Sequence, residues 1–253
     1  MKKFLIRLIQ FPYSLWAGLY FVLVTSFIIF PIAVILTYTL RKRAIYSIIP
    51  VYRTWAKVYN ALIFVRIKCY GLDENVDPKK PYVFVGNHGS FMDIMAFGST
   101  LKNTYKPIAK RELINMPIIG LVFKMACIMV DRSSEESRKR TKDAMRQEVA
   151  DGVGVLVFAE GTRNRTDAPL TAFKDGAFKI AAETGAEIVP FCIINAKKIL
   201  PPNSFWMRPG TISIYYLPPV KIADFPTYED FKQFVYNQMH DTIVEKSGNQ
   251  FAI

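Results

Sequence analysis

The sequence predicts an α/β fold, a single mixed-sheet domain flanked by helices, with an N-terminal apolar helical membrane anchor. Three observations predict it. No charged side chain occurs from Leu8 to Leu40. From Phe64 onward, short apolar runs alternate with stretches of helical periodicity, the pattern of strands joined by helices. The 253 residues suffice for one well-buried domain and an appended element, and are too few to need two full domains. The boundary is expected near residue 62, with 1–62 as anchor and 63–253 as the α/β domain.

The anchor is justified by length and charge. As one helix its 33 uncharged residues would extend roughly 50 Å at about 1.5 Å per residue, against about 30 Å of hydrocarbon. Pro12 and Pro31 each remove a backbone donor, so a bent or broken helix is expected. A cleavable signal peptide has a shorter apolar core and a small-residue cleavage site; this segment is expected to stay attached. Basic residues flank both of its ends, so the positive-inside bias sets no direction. A re-entrant or interfacial anchor with both ends cytoplasmic would satisfy both flanks. Next, Val51, Tyr52, Trp55, Val58, Tyr59 and Leu62 recur at helical spacing, with Pro50 suited to the first helical position. That helix either lies on a membrane surface or packs on its own domain.

Charge narrows the partner. Lys and Arg number 33 against 21 Asp and Glu, a net charge of +12. Ten of the basic residues and no acidic one precede Asp73, leaving 33 − 10 = 23 against 21 in the rest. The excess belongs to the most apolar third, which points to a bilayer with anionic lipids and away from nucleic acid. Cys69, Cys127 and Cys192 are odd in number and without paired spacing, which suggests neither a disulfide framework nor a zinc site.

Seven strands follow from the apolar runs: 64–70, 82–85, 106–109, 127–130, 153–158, 187–194 and 211–216. Helices are expected from Ser90, over 116–125, over 135–150 behind Ser133 and Glu136 at capping-box spacing, over 176–184, and over 228–246 behind Thr227 and Asp230. Val153–Phe158 is nearly unbroken apolar, as in a strand buried on both faces.

The chain has two histidines, His88 and His240. His88 follows a strand in a Gly-flanked turn. On a regular helix His88 and Asp93 would point roughly 140° apart; with His88 in the turn and Asp93 in the first helical turn, the carboxylate can reach one ring nitrogen. That would fix the tautomer and raise the basicity of the other. The bland alternative is a histidine bonded to backbone and an aspartate capping a helix. Glu160-Gly161-Thr162-Arg163 also follows a buried strand, at the edge where open α/β sheets bind ligands. Gly161 permits close backbone approach, and Arg163 offers a fork of donors suited to phosphate. Lys110 and Arg132, each just past a short strand, either add charge to that edge or are solvated.

Together these stretches resemble the glycerolipid acyltransferase family, which includes bacterial 1-acylglycerol-3-phosphate acyltransferases. Asn87-His88-Gly89-Ser90-Phe91-Met92-Asp93 resembles the family's His-four-residues-Asp motif. Lys110-Arg111-Glu112-Leu113 with Gly120 and 128–132 resembles its second block, Phe158–Arg163 its third, and Ile188-Val189-Pro190-Phe191 its fourth. The resemblance covers about 82–191. It departs at Ala159, where the family usually has proline, and at Gly89, where many members have glutamine; altered rigidity without loss of activity is expected from the former.

The resemblance implies transfer of an acyl group from acyl-CoA or acyl carrier protein, as co-substrate, to the sn-2 hydroxyl of lysophosphatidic acid, giving phosphatidic acid in phospholipid biosynthesis. It implies no cofactor and no metal. His88 would be the base, oriented by Asp93. Arg163, Lys110 and Arg132 would bind the acceptor's phosphate, while Glu160, Gly161 and Thr162 would shape the loop. Some backbone amide would stabilise the oxyanion. The expected location is a membrane, on the cytoplasmic face, which in a bacterium is the inner membrane. The alternatives are another acceptor, such as glycerol-3-phosphate or a different lysophospholipid, and a silent anionic-lipid-binding module.

Overall fold

The computed structural model describes residues 2–40, 43–116, 119–131 and 134–248. Helix α1 (Lys2–Val24) runs through Pro12, widens to a π-helical turn over Thr25–Ile29, and continues as α2 (Phe30–Leu40). Within the wider turn Phe30 N–H donates to Thr25 O. Pro31 lies immediately after it. A proline has no N–H for the carbonyl four residues back and its ring crowds that oxygen, so a π turn is the local accommodation. Ile6–Leu40 is a helical stretch of 35 residues containing an 18-residue window of mean hydropathy 2.7, long and apolar enough to cross a membrane.

Helix α3 (Ala44–Leu62) begins before Pro50 and carries it in its interior, so the expectation of Pro50 as first helical residue is corrected. Burial of Ala44, Ile45, Ile48 and Ile49 outweighs the one backbone bond that a proline cannot make. The apolar stripe divides: Trp55 and Tyr59 are buried with the sheet, whereas Val58 and Leu62 are exposed. Tyr20 stacks on Tyr59, and Phe21 packs against Trp55. This helix is packed on the domain.

The remaining elements are β1 (Val65–Tyr70), α4 (Leu72–Asn75), β2 (Val83–Gly86), α5 (Met92–Thr100), β3 (Tyr105–Lys110) and a 3-10 turn (Arg111–Asn115). Then come α6 (Ile119–Ala126), β4 (Ile128–Val130), α7 (Glu135–Ala150), β5 (Gly154–Phe158), α8 (Gly176–Thr184) and β6 (Ile188–Ile194). A short α9 (Ala196–Ile199), β7 (Gly210–Tyr216), a 3-10 turn (Ile222–Asp224) and α10 (Tyr228–Lys246) are the last elements among the described residues. All seven expected strands form one sheet, in the order β1-β7-β6-β2-β5-β3-β4. The strands from β6 to β4 are parallel, while β7 is antiparallel to β6 and parallel to β1, so the sheet is mixed. One face buries Phe84, Met95, Phe97 and Phe191 with Trp55 and Tyr59. The other buries Val85, Phe178, Phe231 and Met239 beneath α7, α8 and α10. Ser134, accepting from Ser137 N, caps α7; the expected cap Ser133 lies outside the described residues.

Candidate active site

The C-terminal ends of β2 and β5 lie level, with Gly86 opposite Phe158. Both candidate loops therefore leave the sheet at one edge. Asn87 pins the first: its amide donates to Ile193 O at 2.9 Å, and its side-chain oxygen accepts from Ile193 N at 2.7 Å. Ser90 Oγ donates to Leu200 O at 2.6 Å. This turn is fastened to β6 on one side and to the end of α9 on the other before α5 begins.

Asp93, in the first turn of α5, holds the preceding turn and partners the ring. Its Oδ2 accepts from Gly89 N at 2.7 Å and Ser90 N at 2.8 Å, and lies 2.8 Å from His88 Nδ1. The aspartate side chain is 1 % exposed and the histidine 14 %. One Asp93 oxygen thus meets both the imidazole ring and two backbone N–H groups of the turn. A buried carboxylate at Nδ1 holds the proton there and leaves Nε2 as the acceptor. Phe158 stacks on the imidazole with ring centroids 4.2 Å apart and planes 14° apart, which restricts rotation of the ring.

The second loop grips the first through the backbone of His88. Glu160, 2 % exposed, accepts from His88 N through Oε1 at 2.9 Å. Its Oε2 accepts from Thr171 N at 2.8 Å and Thr171 Oγ1 at 2.7 Å. Asn164 N donates to His88 O at 2.6 Å. Ala159 N donates to Gly86 O at 3.1 Å, a bond that proline at this position could not make. The Ala159 departure therefore adds a tether between the loops.

Gly161 turns the second loop at a φ of 72°, where a side chain would be strained. Thr162 is exposed and Arg163 half-buried. Among the described residues the Arg163 guanidinium makes no hydrogen bond or ion pair. Lys110 ends β3, exposed and likewise unpaired. It lies two strands from β2, about 10 Å away laterally at ~4.8 Å per strand. Arg132 lies outside the described residues. The structure thus brings His88, Asp93, Glu160 and the Gly161–Arg163 turn together, and leaves Lys110 on the same edge but farther off. Sequence reading missed Thr171, Asn164 and the ring of Phe158 as parts of the site. Asn164 had a local signal: its side-chain oxygen accepts from Thr166 N at 2.9 Å, the Asx-turn spacing.

The Acyltransferase family model matches residues 66–194, and the chain belongs to this family. A 1-acyl-sn-glycerol-3-phosphate acyltransferase of Chlamydomonas reinhardtii is 35 % identical over 166 residues, 64 % of this chain and 49 % of the relative. One of Borreliella burgdorferi is 28 % identical over 174 residues, 68 % of each chain. The chain spans about half the length of the algal relative. Among solved structures, the 1-acyl-sn-glycerophosphate acyltransferase PlsC of Thermotoga maritima shares the fold with a TM-score of 0.82 and 20 % identity, covering 95 % of this chain and 97 % of its own.

Proposed function

We propose that this chain transfers a fatty acyl group from a thioester donor, acyl-CoA or acyl carrier protein, to the sn-2 hydroxyl of lysophosphatidic acid, giving phosphatidic acid. The observation that carries this reading is the single Asp93 oxygen shared by His88 Nδ1 and the N–H groups of Gly89 and Ser90. It leaves Nε2 as a preorganised base. Nε2 takes the hydroxyl proton as the oxygen attacks the thioester carbonyl; the tetrahedral oxyanion collapses, the C–S bond breaks, and the imidazolium returns its proton to the leaving sulfur. No acyl-enzyme forms. Arg163, accessible and without a partner among the described residues, is the group suited to the acceptor's phosphate, with Lys110 adding charge at the same edge. The names of the algal and bacterial relatives support the acceptor.

The exposed apolar face of 6–40, with Leu8, Ile9, Phe11, Trp16, Phe27 and Ile35 all exposed, supports attachment to a bilayer, which we place at its cytoplasmic face. Anchoring there spares the acyl chains a passage through water at about 0.8 kcal/mol per methylene. The test is free-thiol release by purified protein supplied with each acyl donor and a panel of acceptors, for wild type and His88→Ala. Release with lysophosphatidic acid, lost in the variant, is expected. Release with glycerol-3-phosphate or another lysophospholipid alone would move the acceptor assignment, and no release with any pair would leave a lipid-binding module.

A further inference from the structure

Lys197 belongs to none of the sequence blocks, yet its side chain lies along the catalytic turn. A Cβ at Gly89 would stand 2.7 Å from Lys197 Cε, 2.8 Å from Cγ and 3.2 Å from Cδ. The lysine stem therefore occupies the space that any side chain at position 89 would need. Its ammonium reaches on to donate to Thr166 O at 3.0 Å, in the loop that carries Arg163 and contacts His88 through Asn164. One side chain thus spans α9, the histidine turn and the second loop. Burial pushes the Lys197 ammonium below its ordinary range, while Glu160, Asp93 and Asp167 act in the opposite direction.

We infer that Lys197 is a positioning residue, whose stem packs on the bare backbone at Gly89 while its ammonium holds the Thr166 segment, so that Arg163 and His88 keep a fixed separation. It acts through its neighbours and touches no reacting atom. Removing the ammonium frees the second loop to drift, which affects capture of the acceptor before it affects proton transfer, because His88 remains held by Asp93. Adding a side chain at Gly89 displaces the lysine stem and breaks the same tether from the other side. Gly89 and Lys197 are therefore coupled: each change is costly in wild type, and the second adds little once the first is made.

The direction of the parameter change rests on the proposed role of Arg163; the coupling does not. The test is a double-mutant cycle with Gly89→Ala and Lys197→Ala, read as kcat/KM for lysophosphatidic acid with the acyl donor that wild type accepts. Lys197→Met, which keeps an unbranched stem, and Lys197→Arg, which keeps charge and donor, are measured beside it. Expected are a loss of roughly three- to tenfold in kcat/KM for either single variant, the size of one ordinary net hydrogen bond, and no more than about twofold further loss on combining them. Lys197→Met should raise the acceptor KM more than it lowers kcat, and Lys197→Arg should recover much of the loss. Equal effects of Gly89→Ala in both backgrounds would overturn the inference, as would wild-type kinetics for Lys197→Met. If Arg163→Ala leaves the acceptor KM unchanged while the coupling persists, the phosphate assignment fails and the tether stands.

Discussion

The two halves of the site are built on opposite principles. Around His88, the two carboxylates are almost wholly buried, and their oxygens accept from the turn itself: Asp93 from two N–H groups beside the ring, Glu160 from the backbone of His88 and from Thr171. On the other half, Arg163 is half-buried and Lys110 exposed, and among the described residues neither side chain has a hydrogen-bond or ion-pair partner. On the proposed reading, the first half immobilises a base before substrate arrives, and the second leaves donors free until an anion satisfies them. Residues that must not move are bonded in the free protein, and residues that must bind are left unpaired.

This contrast predicts a graded series of losses. His88→Ala removes the base itself, and kcat should fall by about 10²–10⁴-fold with the acceptor KM changed much less; wild-type turnover in steady-state thiol release would break the comparison at its centre. Asp93→Asn keeps the shape but turns an acceptor into an amide beside three donors. A smaller drop in kcat, of order 10²-fold, should accompany a stability loss of about 1–3 kcal/mol, read by thermal melting, because the Gly89 and Ser90 N–H groups lose their charged acceptor. Arg163→Ala should do the reverse: a rise in acceptor KM of roughly 10-fold, the value of one charge-assisted contact, with melting temperature unchanged. A loss of stability from Arg163→Ala would mean that the two halves are not divided as described. Glu160→Gln should be the mildest in kinetics and visible chiefly in stability, since one amide arm would face the N–H groups it now receives, costing about 1–3 kcal/mol. The anchor is tested separately: a protein lacking residues 1–43 should leave the membrane fraction on sedimentation, and retention would assign attachment to other surfaces.

Much of this was legible in the chain. Seven apolar runs became seven strands, because a buried strand must be apolar wherever its neighbours lie. The His88 and Asp93 pair was legible because the two fall within six residues, where a turn followed by a helix leaves few relative positions. The start of α3 was not. Pro50 is a strong local mark for a first helical residue, and it was overruled by burial of Ala44, Ile45, Ile48 and Ile49, which depends on helices elsewhere in the sequence. Lys197 and Thr171 left no mark either, since nothing near them in sequence shows that they lie against His88's turn and Glu160.

What the chain by itself determined, then, was composition-driven and local: an apolar helical segment, alternating strands and helices, and a histidine with its carboxylate in one turn. Tertiary structure alone decided that Glu160 would accept from the backbone of a residue 72 positions away, that Ala159 would bond Gly86, and that Lys197 would fill the space over Gly89. The physical reason is register. Which loop ends meet at the edge of a sheet depends on strand order and on pairings such as Gly86 with Phe158, and those are settled by packing the whole core on both faces at once.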